Sequence, residues 1–556
     1  MLIPNLIVVP GGLLFLRSVV AQAAPSSWRK PTLNMSQSDR VSLATAGIQK
    51  TLTFLVDSGL FGDPDDTYGN GGTFYSQLAE FDVATNGSTY STPLGAYFEL
   101  ANQYLGTIGV VNFTGEFVRS PIEPLVARAL ITYLRYQISD GINFGHAAAI
   151  AYKQYNNPQF LQYAEQSWSA ALPFTVSQDD INRGNMSVKN FPLAKSCNGQ
   201  SMVGSTFHSM NVSDDFVDGL STGGFLVLSA LLAEAVPSNT MYLEAAQNSA
   251  NFIKAQLINS NNIVQDGTSA SVCSDLSETT TLQSHNSGLM IEGLSILYSI
   301  TANVTVQNLI NLIATASMDN TDWQGPDGVI ACGGAEKLGD MFLPRGLTAA
   351  YVRNATTPAV RSLIQQYLAV QFNAIQDNAT DGDNIYGGSW LGPPSSVFSP
   401  GNQTDALQVL INAIRLPEET ASNTSTSAVA SPSASASASS PPAPAAQTRK
   451  HPAVGAIVGG TIGGCILIAG GILAFIVIRR RRLQQHVHGS VESQHPAPTL
   501  LRTASLPTGT IVPFDPYASD GTSDSVPSQP AEARGGLSKS RAGVNRPTDG
   551  LPAYSG

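Results

Sequence analysis

The sequence contains little of what several functional classes require. Only 12% of its 556 residues are charged, and 29 Lys and Arg stand against 40 Asp and Glu. The formal net charge of −11 leaves no basic face, so we expect no nucleic-acid partner. No Cys/His metal spacing, Ser-His-Asp order or phosphate-cradling glycine loop stands out, so neither a metal nor a cofactor is predicted.

Cysteines are also few. Three of the four (Cys197, Cys273, Cys332) lie where the composition is that of a folded core, and Cys465 lies in a later apolar segment. Three cysteines allow at most one intrachain bridge and leave one thiol over. The sequence does not identify the pair, and three buried thiols are the alternative.

Residues 1–23 resemble a cleaved signal peptide. An apolar run begins the chain and ends in Ala21-Gln-Ala23, which matches an A-x-A cleavage site. No Lys or Arg precedes the run, and a buried N-terminal helix is the alternative. Pro4 and Pro10 disfavour that helix.

A second apolar segment, 453–478, predicts one transmembrane helix. It contains no charged residue and exceeds the ~20 residues that cross a bilayer. Four arginines, 479–482, follow directly and favour a cytoplasmic C-terminal side. Glycines spaced four apart in the segment suggest a weak dimer, although a glycine-rich span can also simply tolerate glycine. The lipid bilayer is therefore a predicted partner.

Asn-x-Ser/Thr sequons occur only before that segment, which agrees with a type I protein of the plasma membrane or secretory pathway. Residues 416–452 are rich in Ser, Ala and Pro and predict a stalk, and 479–556 predict a disordered cytoplasmic tail. Leu551-Pro-Ala-Tyr554 is a weak candidate for a WW-domain partner. The predicted glycosylation sites are Asn34, Asn86, Asn112, Asn185, Asn211, Asn303, Asn354, Asn378, Asn402 and Asn423.

Residues 30–415 predict one all-α domain. Apolar residues recur at helical spacing in about twelve segments, with hardly any alternating strands. An internal repeat places an Ala-rich helix before an outer helix that starts after Asn157, Asn239 or Asn303. About six such pairs would close into an (α/α)6 barrel, and an open solenoid is the competing architecture.

Three stretches resemble glycoside hydrolase family 76, the α-1,6-mannanase-like six-hairpin glycosidases. They are Ser139-Asp-Gly-Ile-Asn-Phe-Gly-His146, Gln283-Ser-His-Asn-Ser-Gly288 and Gly387-Gly-Ser-Trp-Leu-Gly-Pro393. The resemblance implies a retaining glycosidase with two adjacent aspartates about 5–5.5 Å apart, one ionised and one protonated. Ser139 stands where the first aspartate is expected, so Asp140 is the one matching carboxyl group.

Other readings of the acidic residues stay open. Ser139-Asp140 can also be a helix cap with an acidic first turn. Asp214 and Asp215 are a substitute catalytic pair, or a solvated loop beside the Asn211 sequon. A sugar site needs an aromatic face and convergent polar groups. The candidates in or near the matching stretches are Asn143, Phe144, His146, His208, His285, Asn286 and Trp390.

The leading hypothesis is therefore hydrolysis or transglycosylation of α-mannosidic glycans of a cell wall or glycan anchor. Loss of the first aspartate favours a second hypothesis, a non-catalytic glycan-binding receptor or adhesion protein on a degenerate barrel. A structural stalked glycoprotein without a ligand is the third.

Overall fold

The computed structural model describes residues 24–62, 69–107, 137–197, 199–273 and 283–418. The predicted signal peptide, transmembrane segment and tail, most of the stalk, and the sequons at Asn112 and Asn423 lie outside these ranges. None of the helices within them is long and apolar enough to cross a bilayer.

Helices make up most of the described residues. A short antiparallel pair, β1 (Phe216–Asp218) and β2 (Gly267–Ser269), joins them. The helices are α1 (Gln37–Leu52), α2 (Gly69–Thr85), α3 (Ser91–Thr107), α4 (Ile138–Tyr155), α5 (Pro158–Ala171), α6 (Gln178–Arg183), α7 (Gly219–Ala235), α8 (Thr240–Phe252), α9 (Ser284–Thr301), α10 (Val304–Met318), α11 (Phe342–Val352), α12 (Pro358–Ala374) and α13 (Pro400–Ile414).

Six of these helices form a closed inner ring. In the order α2, α4, α7, α9, α11 and α13 each packs against the next, and α13 returns to α2. Helices α1, α3, α5, α8, α10 and α12 pack against the outside of this ring. The ring confirms the predicted all-α barrel and excludes the open solenoid.

The outer helices start where the sequence pattern predicts. The side chains of Asn157, Asn239 and Asn303 each accept a hydrogen bond from a backbone N–H two residues later. Each asparagine thus satisfies a donor that the first turn of the helix leaves unpaired. The helices before them, α4, α7 and α9, are inner helices, as predicted, although α9 contains no alanine.

Inner helices approach one another most closely where both carry glycine. At Gly346 of α11, a Cβ atom would come far inside van der Waals distance of the Gly288 carbonyl oxygen of α9. Gly288 in turn lies against the backbone of Phe342. The contact between α9 and α11 is therefore backbone against backbone, which only glycine permits.

Two features were missed or left open by the sequence. Helix α2 is an inner helix whose start, Gly69-Asn-Gly-Gly72, has the composition of a loop. Its next residues are buried on every side, so no apolar stripe marks it. The disulfide joins Cys197 to Cys273 with Cα atoms 5.3 Å apart, and Cys332 is a buried free thiol.

We predict that Gly346→Ala lowers the free energy of unfolding by about 1–3 kcal/mol or more, because the added methyl group must separate α9 from α11. Denaturant unfolding followed by circular dichroism measures the change. Gly95→Ala in α3 is the matched control, since a Cβ there has no neighbour within 4 Å. It should be neutral or stabilising by roughly 0.5–1 kcal/mol. Equal effects of the two substitutions would contradict the close helix contact.

Candidate functional site at the N-terminal rim of the barrel

The inner helices all begin at the same end of the barrel. Gly69 at the start of α2 contacts Asp140 and Asn143 of the first turns of α4. At corresponding positions further round the ring, Gly219 of α7 contacts Asn286 of α9, Gly288 of α9 contacts Phe342 of α11, and Gly401 of α13 faces Asn70 of α2. We call this end of the barrel the N-terminal rim.

Asp140 lies on this rim in the first turn of α4 and is 6% exposed. A carboxylate in a first helical turn is stabilised by the helix dipole. A Cβ on Gly69 would collide with Asp140 Oδ1, so the neighbouring helix leaves room for this carboxyl group by having no side chain there. Asn143, one turn further along α4, is half-buried and lies against the same glycine.

His208 lies beside the start of α4 and forms a pair with a carboxylate. Its Nδ1 is 2.7 Å from Asp218 Oδ2, and its backbone carbonyl accepts a hydrogen bond from Ile138 N. The hydrogen bond and charge of Asp218 raise the pKa of His208, although burial opposes the rise. Asp218 also caps α7 through Ser221 N. The imidazole is thereby held in one orientation at the rim.

The second predicted acid pair has a different setting. Asp214 accepts hydrogen bonds from Ser209 Oγ and from a backbone N–H, and Asp215 accepts from Ser269 and Ser271. Burial alone would raise the pKa of Asp215, but the two serine hydroxyls lower it. Each carboxylate is thus held by its own loop partners, and a catalytic role for the pair remains a prediction.

Lys189 holds the loop of residues 209–214 together through hydrogen bonds to its backbone. Its Nζ donates to the backbone carbonyls of Ser209, Asn211 and Asp214, at 2.8 to 2.9 Å. Burial lowers the pKa of Lys189 to about 8 against the attraction of the nearby aspartates. Three carbonyl acceptors around one ammonium group fix the backbone of 209–214 in place.

Two predicted sugar-binding residues lie in the core of the barrel. Phe144 is fully buried, with edge contacts to Tyr75 and Phe98, so its ring offers no free face. His146 is 3% exposed and lies between Ser76 Oγ at 2.8 Å and Glu292 Oε1 at 3.0 Å. Phe144 thus packs between α2 and the outer helix α3, whereas His146 belongs to a buried polar cluster among the inner helices.

The remaining predicted residues divide between the rim and the core. His285 is half-buried at the start of α9, edge-on to Phe342. Asn286 is fully buried, and its Nδ2 is 3.4 Å from Asp266 Oδ1. Trp390 is also fully buried, and its ring packs directly against Gly339, so it is not a surface platform for a sugar.

Sequence reasoning missed two acidic residues at the rim, Asp340 and Asp405. Asp340 precedes α11 and accepts hydrogen bonds from Ser284 Oγ and the backbone N–H groups of Phe342 and Leu343. Asp405 lies in the second turn of α13. Burial and the nearby Asp340 charge raise the pKa of Asp405 well above its usual range. An aspartate just before an inner helix was the available signal for Asp340.

Comparison with protein families gives one result. The model described as Glycosyl hydrolase family 76 matches residues 137–426. No curated protein matches the chain.

Solved structures support the same barrel. An inactive variant of an α-1,6-mannanase of Salegentibacter sp. HEL1_6, in complex with α-1,6-mannotetrose, gives a TM-score of 0.52 at 14% identity, covering 68% of this chain and 99% of that chain. Dfg5 from Chaetomium thermophilum, in complex with glucosamine, gives 0.51 at 14% identity, covering 69% and 93%. At these identities the likeness establishes the fold.

We predict that Asp218→Asn lowers the pKa of His208, because the charged partner is lost while burial still disfavours the imidazolium. Asparagine retains an acceptor for the α7 cap, so the fold should persist. NMR titration measures the pKa, with the His208 signal assigned by its absence from His208→Gln.

Asp266→Asn is the control, since Asp266 acts on His208 through its charge alone and is the weakest contributor to the raised pKa. Its effect on the pKa of His208 should be smaller.

Because the folded-state pKa of His208 is raised, the pairing of His208 with Asp218 stabilises the fold below the usual pKa of ~6.5. This stabilisation is lost as pH rises through the folded-state value. An unchanged pKa in Asp218→Asn would show that the pairing does not set it.

Proposed function

We propose that this chain, which belongs to glycosyl hydrolase family 76, cleaves or transfers α-mannosidic linkages at the N-terminal rim of its barrel. The observation that carries the proposal is the position of Asp140. It lies in the first turn of an inner helix, packed against the side-chain-free start of α2. The helix dipole favours negative charge at that position, and an ionised carboxylate there can stabilise the positive charge that develops at a sugar C1.

The reaction requires a second carboxyl group, because Ser139 cannot supply one. We propose Asp405 as the proton donor. Its helix α13 meets the start of α2 where Gly401 faces Asn70, next to the glycine that contacts Asp140. Burial and the neighbouring Asp340 keep Asp405 protonated at pH values where most carboxyl groups are ionised. Two acids whose environments separate their pKa values can divide the two roles.

Mannan is the substrate class that the similar structures support. The Salegentibacter protein is named an α-1,6-mannanase, and its inactive variant has two consecutive aspartates replaced. The fungal Dfg5 structure contains glucosamine, which keeps transfer to another glycan open beside hydrolysis. An α-1,6-mannooligosaccharide is therefore the first substrate to test.

A non-catalytic glycan-binding protein is the second candidate function. Ser139 favours it, since this position lacks the carboxyl group that the family resemblance leads one to expect. The burial of Phe144 and Trp390 removes two aromatic faces from the proposed sugar site under either function. Saturable binding without turnover would select this candidate.

We predict that the wild-type protein turns over labelled α-1,6-mannooligosaccharides, and that Asp140→Asn or Asp405→Asn lowers kcat by about 10²- to 10⁴-fold. Chromatography of the products measures hydrolysis and transfer together. Asp322→Asn, at an exposed loop aspartate, is the matched control and should leave kcat unchanged.

Three outcomes would change the assignment. Turnover that survives Asp140→Asn but is lost in Asp214→Asn or Asp215→Asn would move the reaction to the 214–215 pair. Loss in Asp140→Asn alone would retain Asp140 and reject Asp405. Binding without turnover in every variant would identify a glycan-binding protein rather than an enzyme.

We further propose that the barrel faces the lumen of the secretory pathway or the outside of the plasma membrane, held by a helix at 453–478. The sequence supports this through the sequons, the apolar segment and the arginines that follow it. Five sequon asparagines are exposed in the fold: Asn34, Asn86, Asn185, Asn211 and Asn354.

We predict N-glycans at the exposed sequons when the chain is expressed in a fungal secretory host. Glycopeptide mass spectrometry and mobility after N-glycosidase treatment measure them. Asn211→Gln should remove one glycan. Asn378→Gln should remove none, because Asn378 Nδ2 already donates to the Trp390 carbonyl at 3.2 Å and is half-buried. Absence of glycans from all five exposed sites would contradict the proposed location.

A further inference from the structure

The inner ring encloses a cavity at the end opposite the N-terminal rim. Its volume is about 260 Å³, far above the ~10–15 Å³ that holds one water molecule. Lys153, near the end of α4, lines its outer part and lies thirteen positions after Asp140, or ~20 Å along the helix at 1.5 Å per residue. Glu292, in the middle of α9, and Arg345, in the first turn of α11, line its inner part, so the cavity extends from that end into the middle of the ring.

Cations outnumber carboxylates around this cavity. Lys153, Arg345, Arg353 and Arg415 line it, together with the carboxylates Glu80 and Glu292. Glu234 does not line the cavity but contacts two residues that do. It forms ion pairs with both Lys153 and Arg353, with oxygen to nitrogen distances of 2.8 Å. Four cations thus meet three carboxylates, which leaves an excess of one positive charge.

Two of the cations retain unused donors. Arg345 is only 6% exposed, and within the described residues it makes one hydrogen bond, from Nε to Glu292 Oε2 at 2.8 Å. A guanidinium has five N–H donors, so both of its terminal nitrogens remain available to the cavity. Arg415 is exposed at the mouth of the cavity, where the charge of Glu80 attracts it, and its guanidinium forms no ion pair or side-chain hydrogen bond with the described residues.

A neutral donor completes the set. Asn412 lines the cavity and is 3% exposed, and its Nδ2 has no hydrogen-bond partner among the described residues. Its Oδ1 accepts from Gln408 Nε2 at 3.1 Å, which fixes the amide with its nitrogen as the unpaired end. A buried donor without a partner destabilises the fold, and an acceptor in the cavity would relieve this.

Within the part of the chain that the structure describes, each of these donors lacks a hydrogen-bond acceptor. The cavity around them also has an excess of positive charge. Arg345 lies on α11, and Asn412 and Arg415 lie on or just after α13, so the donors come from different walls. An oxyanion with several acceptor oxygens satisfies such a set, and guanidinium groups match phosphate oxygens especially well. Acceptors spread in a tetrahedron suit donors from several walls better than the planar oxygens of a carboxylate.

We propose that this cavity binds a phosphate group, either as inorganic phosphate or as the phosphoryl group of a phosphorylated sugar. The site is independent of the glycan-cleaving function proposed for the rim. Its occupant would balance the excess positive charge of the cavity and accept hydrogen bonds from Arg415, from Asn412 Nδ2 and from the terminal nitrogens of Arg345. The bound anion would thereby link α11 and α13 at the open end of the ring.

Isothermal titration calorimetry of the full-length protein with inorganic phosphate tests the proposal, at constant ionic strength with chloride as the background anion. Arg415→Gln should weaken phosphate binding at least tenfold, and Arg415→Lys should retain most of it. Arg183→Gln is the matched control. It removes the same charge from an exposed side chain outside the cavity and should leave binding unchanged.

A second titration with mannose 6-phosphate distinguishes the two sources. If mannose 6-phosphate binds more tightly than inorganic phosphate, the ligand is a phosphorylated sugar. If mannose 6-phosphate does not bind, the ligand is the free anion. Mannan turnover by Arg415→Gln should equal that of the wild type. The proposal is overturned if wild-type protein binds no phosphate at millimolar concentration, or if Arg415→Gln binds it as tightly as wild type.

Discussion

The buried carboxylate of Glu292 is the interaction on which the inner ring depends. From α9 it reaches Arg345 of α11 at 2.8 Å and His146 of α4 at 3.0 Å, and His146 continues to Ser76 of α2. Burial alone would raise the pKa of Glu292, but Arg345 and His146 hold it at about 2. The pairing therefore stabilises the fold above the usual carboxyl pKa of ~4.5 and is lost as pH falls toward 2. Removing either partner would leave a buried charge uncompensated.

This cluster also divides the interior of the barrel. On one side, the helix starts bring Asp140 and Asp340 to the rim, where helix dipoles favour negative charge. On the other side, the helix ends bring Lys153, Arg353 and Arg415 together, where the dipoles favour cations. A ring of six parallel helices thus produces two ends of opposite electrostatic character. At the second end, the cations outnumber the glutamates close to them by one.

Local signals in the sequence predicted the outer helices and the order of the layers. The asparagine caps at 157, 239 and 303, and the alanine-rich helices before the first two, depend on neighbouring residues only, so sequence alone reveals them. The resemblance to family 76 was likewise predicted, and the family match over 137–426 confirms it. Sequence reasoning did not predict helix α2, because glycines at its start indicate a turn. In the structure these glycines instead allow close contacts with Asp140 and Phe144 of the neighbouring inner helix. Such contacts exist only once the ring has closed.

The same limit explains why sequence reasoning found Asp140 and not the second acid proposed for the reaction. Adjacent aspartates can be recognised in a motif, and replacement of one by Ser139 suggests that a function has been lost. Ring closure, however, brings α13 next to α2, and so places Asp405 and Asp340 on the rim that Asp140 occupies. These residues lie more than 190 positions from Asp140 in the sequence, and no local pattern connects them. A closed barrel can therefore supply a second carboxyl group from a distant helix, and the loss of one aspartate from a motif does not by itself remove the chemistry.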